Sequence, residues 1–258
     1  MTPTLSVKKA SPRMKIVASS ALAGTLLLAS VSAQAELSAN ASITNNYLWR
    51  GLTQTMNLPA TQGGIDYAAD NGFYVGTWIS NVEYDAGDAY SYEHDMYFGL
   101  SGESGGVGFD IGYLYFNYDD NAEFDFSEVY GSLSVGAFTF GANILADTEA
   151  AEGIGQDFGF GEATYFYGDY AIELANEAEL SFHVGRHSGD FVEAFNGVTD
   201  DYIDYGVTLA KSGFAFSIIG TTLASDDNND GEEDYASMSA RDNDEIKFVL
   251  SYSVDFEL

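Results

Sequence analysis

The chain has 258 residues and carries 40 acidic residues against nine lysines and arginines, for a formal net charge of −31. Such acidity argues against a nucleic-acid partner. Cysteine is absent, so no disulfide framework supports the fold, and a 15% aromatic content argues against a disordered chain.

The first 35 residues are predicted to be a cleaved secretory signal peptide. Basic residues precede an apolar run from Ile16 to about Val31, and Ala33-Gln34-Ala35 offers the small-x-small pattern of a cleavage site. Cleavage would leave Glu36 first, and Met14 is an alternative start. The competing interpretation is an N-terminal membrane anchor, although the run is short for a spanning helix. No later segment reaches the roughly 20 apolar residues of such a helix.

Residues 36–258 are predicted to form an all-β fold, a transmembrane antiparallel up-and-down β-barrel of about twelve strands. Apolar and polar residues alternate with period two, as expected for strands with one face toward lipid and the other, the wet face, toward water. The first strand is expected from Leu37 to Arg50, and the last alternates from Glu245 to Phe256. Ten strands are expected between them, at 60–68, 73–81, 90–100, 107–117, 126–136, 138–146, 158–171, 179–188, 201–210 and 213–222.

The predicted connections alternate between long and short, which is typical of outer-membrane barrels with short periplasmic turns and longer outer loops. The eighth connection, at about 172–178, fits least well. The alternative architecture is a secreted soluble β-sandwich or solenoid, but it gives no reason for the sorting of loop lengths.

Three segments of the N-terminal third form a distinctive motif, namely Tyr47-Leu48-Trp49-Arg50-Gly51-Leu52-Thr53-Gln54, residues 59–67 and residues 72–82. This motif resembles the opening of the TorF family, whose members are assigned as porins by prediction. Asp201-Tyr202-Ile203-Asp204-Tyr205 is similar to a later strand motif of that family. The resemblance implies an outer-membrane barrel over residues 36–258. Many outer-membrane proteins end on an aromatic residue, whereas this chain ends Phe256-Glu257-Leu258.

Charged residues on the predicted wet face are candidates for lining a pore. Arg50 is one of five basic residues outside the signal, and we expect it to shape the narrowest part of a constriction that attracts cations or small polar solutes. The alternative is an interior ion pair that fills and rigidifies a small barrel. The pore-lining candidates are Arg50, Asp66, Glu93, Asp95, Asp110, Glu128, Asp204 and Lys247.

An acidic segment begins like a calcium-binding loop. Asp226, Asn228 and Asp230 alternate and Gly231 takes the sixth position, but Ser237 stands where an EF-hand has its bidentate glutamate. Looser Ca²⁺ or Mg²⁺ binding that bridges this outer loop to lipopolysaccharide is one interpretation, and a solvated acidic loop is the other.

Aromatic residues are expected to form girdles where strands meet the lipid headgroups. For Tyr74 and Trp78, packing inside the barrel is the alternative. The girdle candidates are Trp49, Tyr74, Trp78, Tyr90, Tyr92, Tyr115, Tyr118 and Tyr165.

The predicted function is passive diffusion of small hydrophilic solutes across the outer membrane, with a preference for cations, no cofactor and no covalent chemistry. Outer-membrane lipid and lipopolysaccharide are the expected surroundings. One alternative is a closed barrel whose acidic loops serve a structural or surface role. The other is a barrel hydrolase using His183, His187 and Ser188, which is disfavoured because adjacent strand residues point to opposite faces.

Overall fold

The computed structural model describes residues 36–85, 87–197, 199–223 and 241–258. The signal-peptide prediction for residues 1–35 lies outside these ranges. The calcium-loop prediction at Asp226, Asn228 and Asp230 also lies outside them.

Strands are the main regular structure of the described chain. The strands are β1 (Glu36–Thr44), β2 (Leu48–Trp49), β3 (Leu52–Thr53), β4 (Ala60–Ala68), β5 (Phe73–Asn81), β6 (Tyr92–Ser104), β7 (Val107–Asn117), β8 (Phe126–Val135), β9 (Phe138–Thr148), β10 (Ala163–Glu173), β11 (Glu179–Gly189), β12 (Asp201–Lys211), β13 (Phe214–Thr221) and β14 (Lys247–Glu257). One short helix, α1 (Asp190–Asn196), follows β11, and a 3-10 turn (Ala175–Glu177) lies between β10 and β11. No helix in the described ranges is long and apolar enough to cross a membrane.

Twelve of the strands close into one antiparallel barrel. Each strand from β4 to β14 pairs with its neighbour in sequence, and β1 closes the cylinder by pairing with both β4 and β14. Strands β2 and β3 form a separate two-stranded hairpin. The predicted up-and-down barrel of twelve strands is therefore confirmed, and closure leaves the barrel itself without an open edge.

The period-two pattern separates an apolar outer wall from a polar inner wall. On β6, Phe98 is 51% exposed on the outer wall, whereas the inward Asp95 is 4% exposed. On β14, Phe248 and Leu250 are exposed outside, and Ser251 is buried inside. Because the cylinder is closed, these exposed apolar side chains form a continuous belt rather than one patch.

Short and long connections lie at opposite ends of the barrel. The short ones are 69–72, 105–106, 136–137, 174–178 and 212–213, and the longer ones are 45–59, 82–91, 118–125, 149–162, 190–200 and 222–246. The eighth connection is short because β10 continues to Glu173. Strand β10 also begins at Ala163, later than the predicted residue 158.

Glycines on the inner wall make room for tyrosines of neighbouring strands. A side chain at Gly76 would overlap the ring of Tyr97, and one at Gly99 would overlap Tyr74. The same relation holds for Gly112 with Tyr130, Gly141 with Tyr167 and Gly185 with Tyr165. The tyrosines can therefore lie along the wall and present their hydroxyls to the lumen.

Several residues expected in aromatic girdles lie inside the barrel instead, so those predictions are wrong; they are Trp49, Tyr90, Tyr118 and Tyr165. Tyr74 and Trp78 also lie on the inner side of β5, as the alternative of packing inside the barrel predicts. Strand parity turns Tyr74, Trp78 and Tyr165 inward, whereas the other three belong to connections between barrel strands.

Candidate lumenal constriction

The connection between β1 and β4 folds into the barrel instead of extending β1. Strand β1 ends at Thr44, so the predicted strand to Arg50 is wrong, and β2 and β3 form a hairpin with Arg50 and Gly51 at its tip. Both tip residues have positive φ (49° and 82°), as a type I′ turn requires. A side chain at Gly51 would approach Thr221 to 2.6 Å, so glycine also allows the tip to sit against the barrel wall.

The hairpin reaches across the lumen. Residues 47–55 are all buried, although they belong to no barrel strand. Their contacts extend to strands on opposite sides of the barrel. The wall residues concerned are Trp78 on β5, Glu93 on β6, Phe116 on β7, Phe126 and Glu128 on β8, Tyr165 on β10, His187 on β11, Tyr202 on β12, Ile219 on β13 and Val249 on β14.

Arg50 is the best-connected residue of the hairpin. Its Nη2 donates to both carboxylate oxygens of Glu128, at 2.8 and 2.7 Å, and its Nη1 lies 3.0 Å from Nε2 of His187. The guanidinium carbon lies 4.1 Å from the ring centroid of Trp49 and 4.3 Å from that of Tyr165. Because a guanidinium only donates, Nε2 of His187 must be an acceptor here. Arg50 thus fastens the hairpin tip to three barrel strands.

A second inserted element packs against the hairpin in this half of the lumen. Helix α1, in the connection between β11 and β12, buries Phe191 and Val192 and packs Phe195 against Trp49, with ring centroids 4.8 Å apart. Phe126 of β8 packs edge-to-face against both Phe191 and Phe195. The half of the barrel that carries the long connections therefore has an aromatic core.

Glu93 holds the other side of the hairpin. It accepts hydrogen bonds from the hydroxyls of Tyr47, at 2.6 Å, and Tyr118, at 2.8 Å. Tyr118 lies in the connection after β7, where burial, and after it the charge of Glu93, raises the pKa of its hydroxyl well above the ordinary value. The hydroxyl therefore stays protonated and remains a donor.

The half of the lumen with short connections is polar and more open. Tyr97 donates to Asp66 at 2.5 Å, and Tyr74 donates to Asp110 at 2.6 Å. Asp66, Tyr97 and Tyr130 are only partly buried. This inner vestibule is thus lined by carboxylates and phenol hydroxyls.

A histidine between two carboxylates connects the vestibule to the hairpin. His183 lies 2.7 Å from Asp169 through Nδ1 and 2.9 Å from Asp204 through Nε2. Tyr165, whose ring stacks on Arg50, also donates to Asp204 at 3.0 Å. Sequence reasoning missed this cluster. Alternation along a strand indicates on which face a side chain lies, but it does not give the register between strands. It therefore could not bring His183, Tyr165 and Asp204 together.

All eight pore-lining candidates lie on the lumen side, but they form two groups. Arg50, Glu93, Asp95, Glu128 and Lys247 are buried at the level of the inserted elements, and Asp66, Asp110 and Asp204 belong to the vestibule or its upper edge. Arg50 contacts Glu128 directly, whereas Nζ of Lys247 donates to the backbone carbonyl of Arg241 at 2.6 Å. Their role in permeation stays a prediction.

The residues considered for hydrolysis are separated. His187 is buried in the lumen beside Arg50, whereas Ser188 faces outward and its Oγ lies 3.3 Å from Oγ1 of Thr164. His183 is engaged by two aspartates. Within the described ranges, no group of three histidine or acidic side chains could hold a metal ion.

Comparison with solved structures finds distant similarity to other proteins. The KdgM porin has a TM-score of 0.48, 6% sequence identity and coverage of 86% of this chain and 99% of that chain. KdgM in complex with disordered oligogalacturonate gives 0.49 at the same identity and coverage. OpdK, an outer membrane protein from Pseudomonas aeruginosa, gives 0.38 at 14% identity, covering 86% and 67%. No curated protein matches the sequence.

A family model does match, over residues 29–249. Its description carries no function, so the resemblance to TorF stays a prediction. The match covers most of the chain, including the inserted hairpin and nearly all of the barrel. The chain belongs to the Gcw_chp family of bacterial proteins of unknown function.

Proposed function

We propose that the chain is an outer-membrane channel through which small hydrophilic solutes diffuse, with a preference for cations. The observation that carries the proposal is the closed barrel with an apolar outer wall and an acidic inner wall. Hydrocarbon requires every backbone polar group to be paired inside the protein, and a closed barrel meets that requirement.

The outer wall supports the membrane location. Large apolar side chains are exposed on strands all around the cylinder, among them Ile111 (60%), Phe140 (61%) and Phe248 (61%). Water-soluble proteins rarely expose apolar surface on this scale. The strands are also about as long as tilted membrane-crossing strands need to be.

The inner wall supports the cation preference. The vestibule carries Asp66, Asp110 and Asp169, and the histidine next to Asp169 is bound between two carboxylates. Rings of acidic side chains select for cations in channels, and low-dielectric walls strengthen their field. Arg50 does not oppose this effect strongly, because Glu128 neutralises it.

The inserted hairpin and α1 form the constriction of the proposed channel. They occupy part of the half of the lumen with long connections, and in this proposal passage requires the hairpin to shift from the position described here. The channel is accordingly expected to spend much of its time in a closed or low-conductance state.

Planar lipid bilayers test the proposal. Under a KCl gradient, the purified barrel should show stepwise channel currents. The sign of the reversal potential should indicate that K⁺ is more permeant than Cl⁻. A reversal potential that indicates anion preference, with intact channel steps, would contradict the cation preference but not the channel. Absence of any steps in protein shown to be folded by heat-modifiable gel migration would contradict the channel.

The second candidate is a closed barrel with a structural or surface role. The observation that favours it is the breadth of the hairpin contacts, which reach both sides of the lumen. A liposome-swelling assay with small sugars separates the two, since only a channel admits them. Binding of Ca²⁺ by Asp226, Asn228 and Asp230 would suit either function, and calorimetry at millimolar Ca²⁺ tests it.

A further inference from the structure

Three carboxylates are buried under the hairpin, and one of them has an unsatisfied oxygen. Glu93, Asp95 and Glu128 are 1%, 4% and 4% exposed. Glu128 binds Arg50 and Asn143, and Glu93 binds two tyrosine hydroxyls. Oδ1 of Asp95 is buried and accepts no hydrogen bond from the described residues.

An unpaired carboxylate in the interior is costly. Burial removes water from the charge, and the cost is offset by a partner of opposite charge or by several hydrogen-bond donors, or is avoided by protonation of the carboxylate. Arg50, the guanidinium of this region, is already engaged by Glu128 and His187. Among the described residues Asp95 therefore has no cationic partner, and a cation that comes from outside the chain can pair with its carboxylate.

Aromatic side chains flank Asp95 on both neighbouring strands. In the barrel register, Asp95 pairs with Trp78 on β5 and with Phe116 on β7. Side chains paired in this way have Cβ atoms about 5 Å apart. Tyr97, two residues along β6, faces the same side. The faces of such rings attract ammonium groups, and most strongly where water is excluded.

The set of ligands identifies the kind of cation. Divalent metal ions such as Ca²⁺ need about six or more oxygen ligands, and no described cluster of three acidic or histidine side chains is suited to a metal. One carboxylate among aromatic rings instead suits an ammonium group. We propose that Asp95, Trp78 and Phe116 form a lumenal subsite for the ammonium group of a small organic cation.

The subsite lies where a solute from the vestibule would meet the hairpin. Along the inner face of β6, Asp95 stands between Glu93, which binds Tyr47 of the hairpin segment, and Tyr97, which binds Asp66 in the vestibule. A cation that passes the vestibule therefore reaches Asp95 where the hairpin segment meets β6. The inference rests on the proposed channel and names the class of solute it holds best.

The test uses ethylammonium as the probe and K⁺ as the reference cation. In planar bilayers, ethylammonium should reduce the K⁺ current of the wild-type barrel, and Asp95→Asn should weaken this block about tenfold or more, since a charge-assisted contact is lost. Asp95→Glu should retain the block. The matched control is Asp120→Asn, the same change at an exposed residue of the connection 118–125, which should leave the block unchanged.

The outcomes separate this inference from the proposed function. K⁺ current that ethylammonium does not block, or blocks equally in wild type and Asp95→Asn, would overturn the subsite and leave the channel intact. If the barrel carries no current, calorimetry on the detergent-solubilised protein decides. Binding of ethylammonium to the wild type that is lost in Asp95→Asn supports the subsite even then. Absence of binding to the wild type overturns it. If Asp95→Asn does not fold, as heat-modifiable migration reports, Trp78→Leu takes its place with the same expected loss.

Discussion

Replacing Arg50 by alanine should release the hairpin from the barrel wall. The change removes two hydrogen bonds to Glu128, the contact with His187, and the stacking of the guanidinium on Trp49 and Tyr165. It leaves the barrel strands and their pairing untouched. The loss therefore falls on the position of the hairpin rather than on the cylinder.

The size of the effect follows from the burial of the ion pair. The side chains of Arg50 and Glu128 are each 6% exposed, and removing one partner of a buried pair costs about 3–5 kcal/mol. A change of about 3 kcal/mol alters the ratio of inserted to displaced hairpin roughly a hundredfold. If the inserted state dominates a hundred to one in the wild type, the variant populates both states comparably.

Single-channel recording in planar bilayers measures this ratio as the fraction of time in the higher-conductance state. The control is Arg186→Ala, which removes an arginine from an exposed pair with Asp201 on the outer wall. Exposed ion pairs contribute little to stability, so the control should show the same conductance states and open fraction as the wild type. Both variants should show the heat-modifiable migration of a folded barrel.

The reasoning fails if Arg50→Ala is folded and has the same conductance states and open fraction as the wild type. It also fails if Arg186→Ala opens the channel as much as Arg50→Ala does. In either case the contacts of Arg50 would not control the constriction.

Two further changes test the barrel itself. Gly76→Ala places a methyl group where the ring of Tyr97 lies, so it should destabilise the barrel by about 1–3 kcal/mol; the thermal midpoint of heat-modifiable migration measures this. Gly131→Ala, whose methyl group has ordinary space, should leave the midpoint unchanged. Ile111→Arg places a charge on the outer wall and should cost about 2–4 kcal/mol in lipid near the bilayer centre, measured by urea unfolding in vesicles. An equal cost for Ile154→Arg, at a fully exposed loop residue, would contradict this assignment.

Alternation alone was sufficient to predict the barrel strands. The bounds expected for β4, β5 and β7 match those in the structure. The hairpin could not be predicted in the same way. Tyr47 and Trp49 continue the alternation of β1, and period two does not distinguish a strand that continues from one that turns inward.

Residue-level signals for the inserted elements were present but weak. Arg50-Gly51 is an unusual type I′ pair, since Asn-Gly or Asp-Gly is the common choice. In α1, Phe191 and Phe195 have helical spacing and Gly197 ends the helix in a left-handed conformation, but seven residues are too few for periodicity to indicate a helix. Contacts between distant segments, such as Arg50 of the hairpin tip with Glu128 of β8, require the position of the hairpin inside the barrel, which only the structure supplies.

The most direct test of the account asks which side chains meet lipid and which meet water. The chain has no cysteine, so single cysteines can be placed along β6 at Tyr97 and Ser101, which face the lumen, and at Phe98 and Leu100, which face outward. In proteoliposomes, a water-soluble maleimide should label Tyr97→Cys and Ser101→Cys, and a lipid-soluble quencher should reach probes only at Phe98→Cys and Leu100→Cys. Equal labelling of all four sites by the water-soluble reagent would show that both faces meet water, and would contradict a membrane barrel.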